Sequence, residues 1–264
     1  MTSYLRVAWS YRYFVLSAIQ GEFKGRFATS RVGALWYILH PLAMALIYAL
    51  VLSKVLGARL AGVDNEAAYS IFLLAGIAVW GLFSELVSRG LTMFLDFANT
   101  MKKVSFPRVA IPVIVLGNAL LNHLFLVGAV AVVLAFLGHV PTVHWIVLPI
   151  CVAATSLLAL GLGVLLGVLN VFARDIGQVM AVVLNLWFWL TPIVYPPSIL
   201  PKSMQQVIAL NPVEPLTTFY QDIILHQRWP DFLSLAYPVL LGAAFAVLGA
   251  IVFRRANAEM VDVL

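Results

Sequence analysis

The stretch "NVFARDIGQ", residues 170–178, sets an Arg-Asp pair inside what would otherwise be about fifty apolar residues in a row. With almost no chain around it to form a loop, the pair reads as a tight turn between two hydrocarbon-loving segments. Each segment is close to the roughly 20 apolar residues that cross a bilayer core. Working outward, six runs of that kind emerge: Leu35 to Ser53, Tyr69 to Leu86, Val109 to Leu137, Trp145 to Phe172, Ile176 to Tyr195 and Phe232 to Phe253. The third is longer than a bilayer needs and is expected to tilt or bend, with Pro112 near its start and Gly117 and Gly128 inside it. No run alternates with period two, which argues for helices over a barrel.

Composition agrees. Of 264 residues, 63% are hydrophobic and 10% charged, and the mean hydropathy is +1.01, far above what a water-soluble domain tolerates. The single cysteine, Cys151, lies in an apolar run; it excludes a disulfide framework and a thiolate cluster and reads as a packing residue. The opening "MTSYLRVAWS" is followed by Arg12, Lys24 and Arg26 without an uninterrupted apolar core, so a removable signal peptide is not expected.

An even number of spans puts both termini on one side. With the termini cytoplasmic, the inner segments hold Arg6, Arg12, Lys24, Arg26, Arg31, Arg89, Lys102, Lys103, Arg108, Arg174, Arg254 and Arg255, and the outer ones Lys54, Arg59, Lys202 and Arg228. Twelve cations against four is the positive-inside bias. The net charge of +5 is then mostly topology, not a nucleic-acid signature.

Three segments are not simple spans. Residues 11–31, "YRYFVLSAIQGEFKGRFATSR", put Leu16, Ile19, Phe23 and Phe27 at helical spacing along one face, with Glu22, Lys24 and Arg26 away from its centre. This is the pattern of an amphipathic helix lying on the cytoplasmic leaflet, although a helix packed on its own spans has the same pattern. Between spans two and three, "DFANTMKKVSFPRVAIP" mixes Lys102, Lys103 and Arg108 with Phe97, Met101 and Phe106, as a short helix docked in a partner's groove would. Just before it, Glu85 and Arg89 stand four residues apart and read as a structural pair. On the outer side, about 36 residues join spans five and six, too apolar for a surface loop and too broken by proline to span. Two short helices, Ser203 to Leu210 and Pro215 to His226, are expected to dip into the membrane and return, with Asn211-Pro212 as the turn.

Several chemistries are absent from the sequence. There is no Gly-Lys dipeptide and so no phosphate-binding loop ending in Gly-Lys-Ser/Thr, no His-Glu-x-x-His helix and no Gly-x-Ser-x-Gly elbow. The five histidines, His40, His123, His139, His144 and His226, are scattered, and His123, inside the third span, reads as a hydrogen-bonded packing residue. No carboxylate falls at mid-membrane, where a proton-coupled carrier needs one. "GLGVLLG" sets Gly163 and Gly167 at close-approach spacing.

Five motifs in order, "KGRFATSRVGALWYILHP" (24–41), "KKVSFPRVAIP" (102–112), "NVFARDIGQV" (170–179), "LTPIVYP" (190–196) and "LNPVEPL" (210–216), resemble the permease subunits of type 2 ATP-binding-cassette exporters. The likeness is closest to the branch that exports O-antigen, capsule-related and teichoic acid polysaccharides. It covers essentially the whole chain and implies a single permease domain over 1–264: a cytoplasmic amphipathic segment at 1–33, spans one to five over 34–195, an outer re-entrant gate at 196–231, and span six with a cytoplasmic tail at 232–264. The implied protein is an all-α, six-span, non-enzymatic subunit of the bacterial inner membrane, with both termini cytoplasmic. It works as a homodimer with two copies of a separate ATPase subunit, which hold ATP and magnesium, so this chain carries no cofactor of its own.

By the same resemblance, Phe23, Arg26, Lys102, Lys103, Phe106, Arg108, Arg174 and Asp175 lie at or near the ATPase interface. Trp36, Tyr37, Trp187, Phe188, Trp189 and Tyr195 are candidates to line the polymer channel, where sugar rings slide on aromatic faces, although aromatic residues also populate membrane interfaces. Pro192, Pro196, Pro197, Asn211, Pro212 and Pro215 shape the outer gate. The competing readings are an exporter of the same type carrying a drug or lipid, a membrane-embedded glycosyltransferase or lipid phosphatase, and a simple channel. An enzyme needs clustered acids, and the outer ones (Asp64, Glu66, Glu214, Asp222 and Asp231) are spread over two loops. A channel has no use for the apolar and basic docking pattern.

Overall fold

The computed structural model describes residues 11–29, 39, 43, 68–103, 106–136, 138–256 and 259–260, without the side chains at 23 and 26–29. All of the first apolar run but residues 39 and 43 lies outside the described residues, Trp36 and Tyr37 included, as do the side chains of Phe23 and Arg26.

Among the described residues every regular element is helical: α1 (Arg12–Thr29), α2 (Ala68–Asp96), α3 (Ala98–Lys103), α4 (Ala110–Phe136), α5 (Leu148–Phe172), α6 (Asp175–Trp189), α7 (Lys202–Ile208), α8 (Glu214–Ile224) and α9 (Ala236–Ala256), with short 3-10 turns at Val143–Val147, Pro197–Ile199 and Phe232–Leu235. Four stretches are long and apolar enough to cross a membrane: Ala68–Lys103, Ala110–Phe136, Val143–Phe172 and Phe232–Ala256. In hydrocarbon a helix satisfies its own backbone groups, which is why apolar runs of this length take that form.

The third, fourth and sixth runs fall within a few residues of their expected bounds; two others differ. The second was expected to end at Leu86, but its helix continues to Asp96 and carries Glu85 and Arg89 inside it, because both charges find protein partners there. The fifth, expected from Ile176 to Tyr195, gives only the 15-residue α6 and then turns. A helix of that length rises about 22 Å, short of the roughly 30 Å hydrocarbon core. Pro192 biases Thr191 away from helical backbone, and the Thr191 hydroxyl donates to the carbonyl of Trp187 at 2.8 Å. Among the described residues the expected spans are therefore four helices of crossing length and one shorter apolar helix.

α5 is the centre of the bundle, flanked by α9 on one side and α2 on the other; α4 covers α2, α8 packs on α2 and α5, and α1 lies against α4. In its most apolar window α2 is 72% buried, against 22% for α9, which marks α2 as an inner and α9 as a peripheral helix. The central contacts run backbone to backbone. A Cβ placed on Gly90 of α2 would stand 2.7 Å from the Cα of Gly163 on α5, and one on Gly161 would stand 2.7 Å from the carbonyl of Gly242 on α9. Gly167 faces the carbonyl of Gly90, so "GLGVLLG" is a true helix-helix seam. α4 ends on Gly138, whose φ of 75° is left-handed, and the amides of Gly138 and His139 bond back to the carbonyls of Ala135 (3.1 Å) and Leu134 (2.9 Å).

The two short helices expected after the fifth run form close to where the sequence places them, as α7 and α8. α7 is largely exposed, while α8 buries Leu216, Phe219, Tyr220, Ile223 and Ile224 in the core. In α1, Leu16 is 52% exposed, while Ile19 meets Gly117 of α4 and Glu22 is turned toward α2 and α4.

Candidate functional site

The candidate residues collect at two ends of the bundle. At the basic end, Lys102 and Lys103 close α3 and are exposed, while Phe106 and Arg108 are half-buried in the link to α4. Phe106 meets Phe14 of α1 at 5.1 Å between ring centroids, so this link and α1 share an apolar contact. Arg174 and Asp175 are exposed at the turn between α5 and α6, and Asp175 sits in the first turn of α6, where its charge suits the helix dipole. The turn is held from inside by Asn170, whose side-chain amide donates to the carbonyl of Leu91 on α2 at 3.0 Å and whose oxygen accepts from the amide of Gly177 at 2.9 Å. The structure thus brings the α5–α6 turn onto the end of α2, close in sequence to α3.

A polar cluster lies just inside this end. Arg89 donates to both Glu85, at 3.3 Å, and Glu22 of α1. Asn118 of α4 donates to the second oxygen of Glu22 at 2.5 Å, and Asn122 donates to Glu85 at 2.5 Å. The pair seen in the sequence is therefore part of a five-residue cluster over three helices. The available signal for the rest was amides within apolar runs, since Asn118, Asn122 and Asn170 each interrupt one.

At the other end, the segment after α6 is clamped. Asn211, in the turn between α7 and α8, accepts from the indole N–H of Trp187 at 2.8 Å and from the amide of Val213 at 3.0 Å. Its amide donates to the carbonyl of Leu190 at 3.2 Å and to the Thr191 hydroxyl at 2.9 Å. Gln221 of α8 donates to the carbonyl of Pro192 at 3.1 Å, and the Tyr69 hydroxyl donates to that of Val194 at 2.6 Å. Pro192 and Pro212 are buried, and Pro196, Pro197 and Pro215 half-buried. His123 of α4 shares a 2.7 Å hydrogen bond with the Tyr220 hydroxyl of α8. Burial holds the Glu214 carboxyl above its ordinary value, against the opposing hydrogen bond from Thr218.

The aromatic candidates divide. Trp187 packs edge-on against Phe83 at 5.2 Å and Phe188 against Trp80 at 5.7 Å, both turned toward α2. Trp189 is 54% exposed, beside Leu186 and Leu190 at 61% and 60%, on the open face of α6. Tyr195 is half-buried and donates to the carbonyl of Trp189 at 2.8 Å.

The sequence profile of the ABC-2 type transporter family matches residues 13–225. The chain is 30% identical over 250 residues to "O-antigen export system permease protein RfbA" of Myxococcus xanthus, a match that covers 94% of this chain and 92% of that protein. A protein of the same name from Klebsiella pneumoniae is 25% identical over 248 residues, with 92% of each chain covered. "Polysialic acid transport protein KpsM" of Escherichia coli is more distant, 20% identical over 244 residues, with 90% of this chain and 92% of that protein covered. By a match that spans most of its length, and with the helical bundle such a subunit requires, the chain belongs to the ABC-2 type transporter family.

Proposed function

We propose that this chain is the membrane permease of an ATP-driven exporter that moves a polysaccharide, free or lipid-linked and of O-antigen type, out across the cytoplasmic membrane. One observation carries the reading: the relatives similar over nine-tenths of both chains include permeases named for O-antigen export. The chain does no bond chemistry. A separate ATPase subunit holds ATP and magnesium, two copies serve a permease homodimer, and the permease turns their closure into opening of a path. The bias of twelve basic residues against four supports cytoplasmic termini and an inward basic end.

In this reading Lys102, Lys103, Phe106 and Arg108 meet the ATPase together with Phe23 and Arg26 of α1, and the exposed pair Arg174 and Asp175 forms a second contact. Of the four described channel candidates, Trp189 is best placed to face the path, because it alone among them is exposed, on an open apolar face. Trp187, Phe188 and Tyr195 stand behind it, and Trp36 and Tyr37 join from the first span. The α7–α8 pair dips into the outer leaflet as a gate, and the clamp around Asn211, Pro192 and Pro212 couples it to α6, with Pro196, Pro197 and Pro215 shaping its approach.

The test is a clean deletion in the native host, complemented in trans, with surface polysaccharide followed by gel and by whole-cell labelling. Loss of surface polymer with accumulation of cytoplasmic polymer is expected. Unchanged surface polysaccharide, with no polymer retained inside, would overturn the reading.

A further inference from the structure

Ionisable groups within membrane helices are costly and mark function unless a simpler account suffices. Glu85 and Arg89, at i and i+4 on α2, need only each other for neutralisation, and they do pair at 3.3 Å. The structure adds what neutralisation does not require. Glu22 of α1 splits its two carboxylate oxygens between two other helices, one toward Arg89 of α2 and one toward Asn118 of α4. Arg89 in turn divides its guanidinium between Glu22 and Glu85, and Asn122 of α4 joins at Glu85. A carboxylate forked across two helices fixes the position of the helix that bears it relative to both.

The surroundings fit the same purpose. α1 lies along α4, with Ile19 seated on Gly117, where a Cβ would collide with it. Phe14 packs at a tilt against Phe106, in the link between α2 and α4 that carries the exposed lysines. α1, that link, and the adjoining parts of α2 and α4 are joined at three points: one aromatic, one steric and one charged.

We propose that the Glu22–Arg89–Asn118 tie makes α1, α2 and α4 a single body at the cytoplasmic face, so that a displacement imposed on α1 or on the link is delivered to the spans. Arg89 is a positioning residue in this scheme; it meets no cargo. The inference deepens the exporter reading and rests on it.

The test uses the complete complex with its ATPase, in a Cys151→Ala background, with cysteines at Ile19 and Gly117 that can be bridged by oxidation or by a short bifunctional thiol reagent. Without the bridge, Arg89→Ala loses most of its export, while ATP hydrolysis by the complex persists. Arg89→Lys, which keeps the charge, restores part of it. Bridging α1 to α4 restores export in Arg89→Ala, and the bridged parent with Arg89 intact keeps exporting. Glu22→Gln, which keeps the shape and loses the charge, replaces Arg89→Ala should that variant fail to accumulate.

Three results would overturn the tie: normal export by Arg89→Ala, failure of the bridge to restore it, or a bridged parent that stops exporting until the bridge is reduced, which would mean that α1 slides on α4. A parent complex that shows no ATP-driven export at all counts against the exporter reading, whereas an exporting parent with a failed rescue counts against the tie alone.

Discussion

Replacing Asn211 with Ala removes four hydrogen bonds at once, those with the Trp187 indole, the Val213 amide, the Leu190 carbonyl and the Thr191 hydroxyl. Side-chain hydrogen bonds between membrane helices average about 0.6 kcal/mol each, which sets a floor of about 2.4 kcal/mol for the four. The Val213 amide belongs to a fully buried residue and would lose its acceptor, and an orphaned buried donor costs about 1–3 kcal/mol in place of the average bond, so the total comes to about 3–5 kcal/mol. At about 2–4 °C per kcal/mol for a chain of this size, the midpoint of thermal unfolding in detergent should fall by at least about 6 °C. Trp187→Phe deletes only the indole donor and keeps the ring on Phe83. Combined with Asn211→Ala, it should therefore cost less than the sum of the two singles, by about 0.6–1.7 kcal/mol. The assay is fluorescence-detected size exclusion after heating, on all four proteins in parallel. A shift below about 1 °C for Asn211→Ala, or strict additivity in the cycle, would refute the clamp.

The seam at Gly90 offers a built-in comparison. An added Cβ there lies 2.7 Å from Gly163, about 1 Å inside comfortable carbon contact, so Gly90→Ala should destabilise by about 1–3 kcal/mol. Gly81→Ala on the same helix meets Leu126 at an ordinary 3.9 Å and should be neutral or slightly stabilising in the same heating assay; equal effects would contradict backbone contact as the cause. Changing Arg174 and Asp175 together to Ala touches two exposed side chains, so membrane insertion and stability should stay within about 0.5 kcal/mol while export uncouples from ATP hydrolysis. Normal surface polymer in that variant would end the coupling role. Trp189→Ala should lower export more than it lowers complex assembly, measured by polymer transport against co-purification; an unchanged export rate returns Trp189 to a lipid-facing role.

The raised Glu214 carboxyl means that the folded state holds that proton more tightly than the unfolded chain does, so stability declines as pH rises from its ordinary value of 4.5 through the folded value. Glu214→Gln should raise the midpoint at neutral pH and leave it unchanged at acid pH, and a uniform shift at both would rule out the titration.

What the sequence made legible follows from what is local. Long apolar runs gave three helices to within a few residues, because in hydrocarbon the backbone has few alternatives. The paired glycines at 163 and 167 announced a seam, although not its partner Gly90, which stands some seventy residues away in sequence. The overrun of α2 and the orientation of α1 were not legible, because both depend on Glu22 reaching Arg89 across 67 positions. The reduced length of α6 was legible in part, since Pro192 signals a break, but its cost to the span depends on Asn211 receiving the freed chain 20 positions later. Asn211 itself reads in sequence as a turn residue; its place as a four-bond hub requires the α6 end to be folded back onto it.

The claim on which everything functional depends is that this permease works with a separate ATPase subunit. The direct measurement is purification of the tagged chain from its native host in mild detergent, followed by quantitative mass spectrometry of what accompanies it and a mass of the intact assembly. A soluble ATPase subunit recovered at one per permease, in an assembly of two of each, is the expected result. Reproducible recovery of the permease without any ATPase, from cells shown to express one beside it, would contradict the account.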